Sequence, residues 1–157
     1  IPRAKIRIDN PFDEIILAGI TIVFSVICSV KDLKTKSVPN MILITGILLV
    51  LCYRFIFFHS MSKMIYCLIA AACTGGFYFL IRCITAGRLG MADVLFGIFQ
   101  GLVLDCNITA IFLCILIECG FALVAFCVFR KKAKLKKIPF IPFMACGLII
   151  SYLIKIF

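Results

Sequence analysis

The chain has 157 residues, of which 64% are hydrophobic and 15% charged, with a net charge of +10. A soluble domain is typically about half apolar and a quarter charged, so this much apolar surface in so short a chain requires the bilayer as solvent. The length allows six spans of roughly 20 residues with short loops and no separate soluble domain. The basic residues fall mainly between apolar runs without aromatic interleaving, which argues for topology signals and contacts with anionic headgroups rather than nucleic acid. Ten cysteines are present, but none forms CxxC and most lie inside apolar runs. They read as small hydrophobes rather than as zinc ligands or a disulfide framework.

The first residue is Ile, which fits a fragment or a boundary upstream, and no cleavable signal peptide is read there. Residues 1–11 are polar and mixed in charge. The first span is expected over 12–30, with Pro11 at a helix start, where its missing N–H costs nothing. A polar loop from Lys31 to Ser37 follows, and Val38-Pro39-Asn40 opens a second span over 41–58. His59 lies on the next turn, and as the only histidine it cannot make a metal site by itself.

The third span is expected over 64–81, with Gly75-Gly76 admitting a neighbouring helix closely. A polar loop from Arg82 to Gly90 leads through Met91-Ala92-Asp93 into a fourth span over 91–104. That span is short for a full crossing, so either a bundle supports it or Asp93 lies at membrane depth. The tight turn Asp105-Cys106-Asn107 precedes a fifth span over 108–129. The basic run 130–137 precedes a sixth over 138–154. The whole is expected to be one all-α, polytopic membrane domain over 1–157, with no internal repeat.

Lys and Arg counts set the orientation. The loops after spans one, three and five carry three, two and six basic residues, eleven together, against six on the other face. The eleven-residue face is therefore expected to be cytoplasmic, and it carries both Asp32 and Asp93.

Two carboxylates that approach each other can share a proton, because two like charges at contact do not both ionise cheaply. One then serves as base toward a water while the other donates to a carbonyl. Asp32 follows the C-terminal end of span one, where the helix dipole disfavours an anion. Asp93 stands in the first turn of span four, where it favours one. Asp93 is thus expected to be the base and Asp32 to hold the proton, although Lys31, Lys34 and Lys36 work against this. The residues alone equally allow Asp93 to be a first-turn helix anion and Asp32 a solvated loop charge. Glu118, near the middle of span five, costs about 2.5–3.5 kcal/mol if charged. It is expected to be neutral and bonded to a neighbouring helix, with a direct part in the site as its secondary reading. Gln100 is expected to be an interhelical hydrogen bonder. Asn40 reads as a helix cap or as an orienter of a carboxylate.

At these positions a resemblance emerges. Asp32-Leu33-Lys34-Thr35-Lys36-Ser37-Val38-Pro39-Asn40 resembles the Asp-x-x-x-x-x-Ile-Pro-Asn signature of type IV prepilin peptidases. Gly90-Met91-Ala92-Asp93 is similar to their Gly-x-Gly-Asp motif, and Ile138 to Gly147 resembles their Ile-Pro-Phe-Gly-Pro-Phe-x-Ala-x-Gly segment. The three occur in order across residues 12–157. The resemblance implies a membrane aspartyl endopeptidase with Asp32 and Asp93 as the catalytic pair, supported by Pro39, Asn40, Gly90 and Ala92. It also implies no metal or other cofactor. The substrate would be a prepilin, pseudopilin or preflagellin-like protein, cut at the cytoplasmic face of the cell membrane. The paired CxxC motifs of a methyltransferase region are missing, which implies a peptidase-only form. Ala92 and Ile141 stand where relatives have glycine, and Leu95 where many have lysine; these departures bear on efficiency and substrate preference. Two readings from other classes compete: a non-catalytic assembly partner on the same bundle, and a small transporter whose buried acids carry cations.

The orientation is directly testable. A cysteine placed in the 130–137 run should resist a membrane-impermeant maleimide in intact cells and react once the membrane is permeabilised. Labelling from outside would reverse the assigned topology.

Overall fold

The computed structural model describes residues 11–35, 38–57, 61–85, 89–105, 107–129 and 140–156. The polar N-terminal segment, His59, Arg88 and the basic run 130–137 lie outside the described residues. Six helices follow in order: α1 (Pro11–Thr35), α2 (Asn40–Phe57), α3 (Met61–Ile84), α4 (Met91–Leu104), α5 (Ile108–Phe129) and α6 (Ile141–Ile156). No strand occurs among the described residues. The chain is an all-α membrane protein. Three helices, Glu14–Thr35, Asn40–Phe57 and Met61–Ile84, are long and apolar enough to cross a bilayer. The other three are also apolar, with α4 at 14 residues and α6 at 16.

Three helices differ in extent from the sequence reading, and α3, from Met61 to Ile84, is three residues longer at each end than expected. Helix α1 does not stop at Val30 but continues through Lys31 and Asp32 to Thr35. Lys and Thr are tolerated in a helix, and Thr35 Oγ1 donates back to the Lys31 carbonyl at 2.8 Å. Asp32 therefore stands in the last turn of a helix and not in a loop. Helix α6 begins at Ile141, three residues later than expected, with Pro142 in its first turn, where proline is accommodated.

Contacts along the chain fix the helix directions. Asp32 near the end of α1 meets Ile141 at the start of α6, while Glu14 near the start of α1 meets Tyr152 near the end of α6. The two helices are antiparallel. Arg54 near the end of α2 donates to the carbonyl of Val103, at the end of α4, at 2.9 Å, so α2 and α4 run the same way. Helices α3 and α4 form a hairpin pinned at mid-height by Thr74, whose Oγ1 lies 2.8 Å from the Gly97 carbonyl oxygen. Nearer its far end, Cys67 Sγ donates to the Leu102 carbonyl at 3.2 Å.

Helix α4 is the centre of the bundle. Ten of its 14 residues are buried, from Asp93 and Val94 to Leu104, on every face. Glycine makes this possible. A Cβ added at Gly101 would stand 2.5 Å from Ala71 Cα and 2.6 Å from the Ala70 carbonyl oxygen, so α3 backbone lies directly against α4 there. The expected close approach at Gly75-Gly76 is met by one glycine only. Gly75 faces Ile98 Cγ1, 2.4 Å from its added Cβ, while Gly76 faces open space. The pair cannot both face α4, because adjacent helical residues point about 100° apart.

Two polar layers tie the helices below the aspartate end. In the middle, Glu118 of α5 is 1% exposed and receives hydrogen bonds from Tyr78 of α3, Gln100 of α4 and Cys114. Gln100 also donates to the Met144 carbonyl of α6 at 3.1 Å. The expected interhelical roles of Glu118 and Gln100 thus meet in one node. At the end opposite Asp32, Arg54 pairs with Asp105, and Lys155 lies 3.0 Å from Asp105 and 3.7 Å from Glu14. Tyr152 donates to Glu14 Oε2 at 2.8 Å.

The glycine contacts give a paired stability test. Gly101→Ala should destabilise the solubilised protein by about 1–3 kcal/mol, because the methyl meets backbone that cannot rotate away. Gly76→Ala should change stability by less than about 0.5 kcal/mol. Thermal unfolding in detergent reads both, and equal melting of the two variants would contradict the α3–α4 packing.

Candidate active site

Asp32 and Asp93 come from helices that are far apart in sequence and antiparallel in space. Lys155 touches both Glu14 near the start of α1 and Asp105 at the end of α4. Phe24 of α1 packs on Phe99 of α4, with ring centroids 4.8 Å apart. From that contact, Asp32 is eight residues along α1 and Asp93 six residues back along α4. At 1.5 Å per residue these are rises of roughly 12 and 9 Å toward the same end of the bundle. The two carboxylates therefore stand at nearly one level along the bundle axis. Both are buried, at 6% and 8% exposure.

Each carboxylate is held by main chain. Gly90 caps α4 with φ −67° and ψ 154°, and its N–H donates to Asp93 Oδ2 at 2.9 Å. A Cβ on residue 90 would lie 3.2 Å from that oxygen, so glycine lets the carboxylate fold back onto its own helix start. Asp32 Oδ2 accepts the N–H of Ile141, the first residue of α6, at 3.3 Å. This changes the expected electrostatic asymmetry. Asp32 does stand at the C-terminal end of α1, but it also faces the N-terminus of α6, whose dipole favours a carboxylate. Both acids thus have a helix N-terminus, and the shorter bond belongs to Asp93.

The remaining motif residues sit around this pair. Val38 is buried and anchors the segment before α2, whereas Pro39 and Asn40 are exposed. The Ile42 N–H bonds to the Pro39 carbonyl at 3.0 Å. Helix α2 already includes Asn40, so Asn40 stands inside the helix and not at the cap position expected for it. Ala92 and Leu95 are half-buried and pack against the core. Ile141 is 1% exposed. Glu118 is not brought to the pair. Its partner Gln100 lies seven residues from Asp93 along α4, about 10 Å down the bundle. Among the described residues, no group of three or more His, Cys, Asp or Glu is placed to hold a metal ion.

Arg82 lacked a motif and stood in a segment read as a loop. It belongs to the last turn of α3, where its Nη1 donates to the Leu89 carbonyl at 2.8 Å. A basic residue near a helix C-terminus was the available signal.

The model of the type IV leader peptidase family matches residues 19–154. No curated protein and no solved structure matches the chain. The match spans all six helices, including the ends of α1 and α4 that carry the two buried aspartates. The chain belongs to the type IV leader peptidase family.

Proposed function

We propose that the chain is an aspartic endopeptidase that removes the basic leader of prepilin-, pseudopilin- or preflagellin-like proteins at the cytoplasmic face of the cell membrane, with Asp32 and Asp93 as its catalytic pair. Family membership supports a leader peptidase in the membrane. The observation that carries the assignment is the burial of two carboxylates at one level of the bundle, each with a main-chain donor.

The chemistry needs no further group. Asp93, as base, takes a proton from a water whose oxygen attacks the scissile carbonyl carbon. Asp32 gives its proton to the carbonyl oxygen. In the collapse, Asp93 returns its proton to the leaving nitrogen as the C–N bond breaks, and Asp32 recovers its own from the hydroxyl. The same two residues end as they began.

The membrane does much of the positioning. A prepilin-like substrate has an apolar stem that resists leaving the bilayer by about 0.8 kcal/mol per CH₂. The stem holds the scissile bond at the membrane surface, and the basic-residue count supports the aspartate end facing the cytoplasmic side of that surface. The bond must be extended for its carbonyl to be reached. A glycine before the cut suits this, being poor in helices and small enough for two carboxylates to approach.

Asp32→Asn and Asp93→Asn should each abolish cleavage of a leader-bearing substrate while the protein still inserts, since Asn keeps the volume without the base. Asp32→Glu should also fail or nearly fail, because one methylene displaces the carboxyl beyond what the geometry tolerates. Glu118→Gln should keep most activity, and so should wild type in chelator. The readout is a mobility shift with N-terminal sequencing of the product. Cleavage lost in Glu118→Gln and kept near wild type in either Asn variant would overturn the site.

A further inference from the structure

Arg82, Leu89, Gly90 and Asp93 form a single line of contacts. The Arg82 guanidinium donates to the Leu89 carbonyl oxygen at 2.8 Å. The Gly90 N–H donates to Asp93 Oδ2 at 2.9 Å. The carbonyl of residue 89 and the N–H of residue 90 belong to the same planar peptide unit. One rigid group therefore accepts from a cation on one edge and donates to a carboxylate on the other. Hydrogen bonds chained in this way polarise one another, and the effect is larger where water is excluded. A bond to a charged partner is also stronger than one between neutral groups.

We infer that Arg82 is a positioning residue for the proposed reaction, acting on Asp93 through the Leu89–Gly90 peptide: it fixes the plane of that peptide and strengthens the N–H that holds the Asp93 carboxylate. The inference rests on the reading of Asp93 as the base. Asp32 has an N–H from a helix start at 3.3 Å, whereas Asp93 has a shorter one backed by a cation.

The support for Arg82 is built into α3. Thr85 closes that helix, its Oγ1 donating to the Ile81 carbonyl at 2.8 Å, so the last turn is regular where Arg82 leaves it. Arg82 is half-buried beside a turn that starts the central helix. A cation in that turn also faces the carbonyl end of α3, where positive charge is favoured. Other charged residues at this end of the described bundle are Lys31, Asp32 and Lys34, all on α1. Helices α2 and α6 have none in their adjoining turns.

The test uses the full chain in detergent and a synthetic probe with a basic leader, a glycine and an apolar segment, comparing wild type with Arg82→Gln and Arg82→Lys. The Gln variant keeps a neutral donor and loses the cation. Its kcat should fall about 10- to 100-fold, the loss expected for a hydrogen bond to a charged group, with KM within about twofold. The Lys variant keeps the cation and should hold kcat within about threefold of wild type. Equal kcat in wild type and the Gln variant overturns the inference, as does a change confined to KM, which would make Arg82 a substrate contact. If the Gln variant is not recovered as a monodisperse protein, the Lys variant decides. A normal melt with kcat down more than about tenfold rejects the role, and retention supports it. The outcome is separable from the proposed function. If Asp93→Asn cleaves the probe like wild type, the base assignment itself has failed. If Asp93→Asn is dead and the Gln variant is unimpaired, only the role of Arg82 has.

Discussion

Hydrocarbon offers no hydrogen bonds and excludes charge, so a short helix that starts on a buried carboxylate is kept among protein rather than lipid. Helix α4 meets that demand by letting the backbone of α3 lie against Gly101 and by receiving Thr74 on its Gly97 carbonyl. With 14 residues it is only about 21 Å long, well under the roughly 30 Å of a bilayer core. The longer helices around it face the lipid in its place. The position of Asp93 follows from this enclosure, since the helix start can move only if the α3–α4 contact moves with it.

Most of the long-range polar contacts fall at three levels, and each level uses a different kind of chemistry. The aspartate end uses main-chain donors. The middle uses the Glu118 node, in which side chains of α3 and α4 and a neighbouring thiol of α5 converge on one carboxyl group. The opposite end uses ion pairs, with Arg54 and Lys155 set against Glu14 and Asp105, and charge neutral as a set. Elsewhere apolar packing dominates, as in Phe24 on Phe99, alongside the bonds of Thr74 and Cys67 to α4 carbonyls.

Helix number, order and apolar character were legible from the runs of hydrophobic residues, and the buried acids from ordered motifs. What the runs did not reveal was where a polar stretch stays helical. Lys31 to Thr35 interrupt the apolar pattern without breaking the backbone, so hydropathy alone ends the span at Val30, five residues before the helix ends. The partner of Asp32 was equally hidden, because Ile141 stands 109 residues away in sequence. Glu118 was recognisable as a bonded acid from its depth alone, whereas its three donors come from two other helices and the preceding turn of its own. Only one glycine of Gly75-Gly76 packs closely, which composition cannot tell. The partner of Arg82 was not legible, because what it touches is a carbonyl that every residue has.

That both aspartates are held by main-chain N–H groups has a consequence for variation in this chain. A peptide N–H survives every side-chain exchange except the introduction of proline. A side-chain exchange at Ala92 or Ile141 deletes no donor: the one to Asp93 comes from residue 90, and the one to Asp32 is the backbone of residue 141 itself. At residues 92 and 141 the grip on the carboxylates does not pass through a side chain, whereas at residue 90 a Cβ would press on the oxygen that its N–H holds.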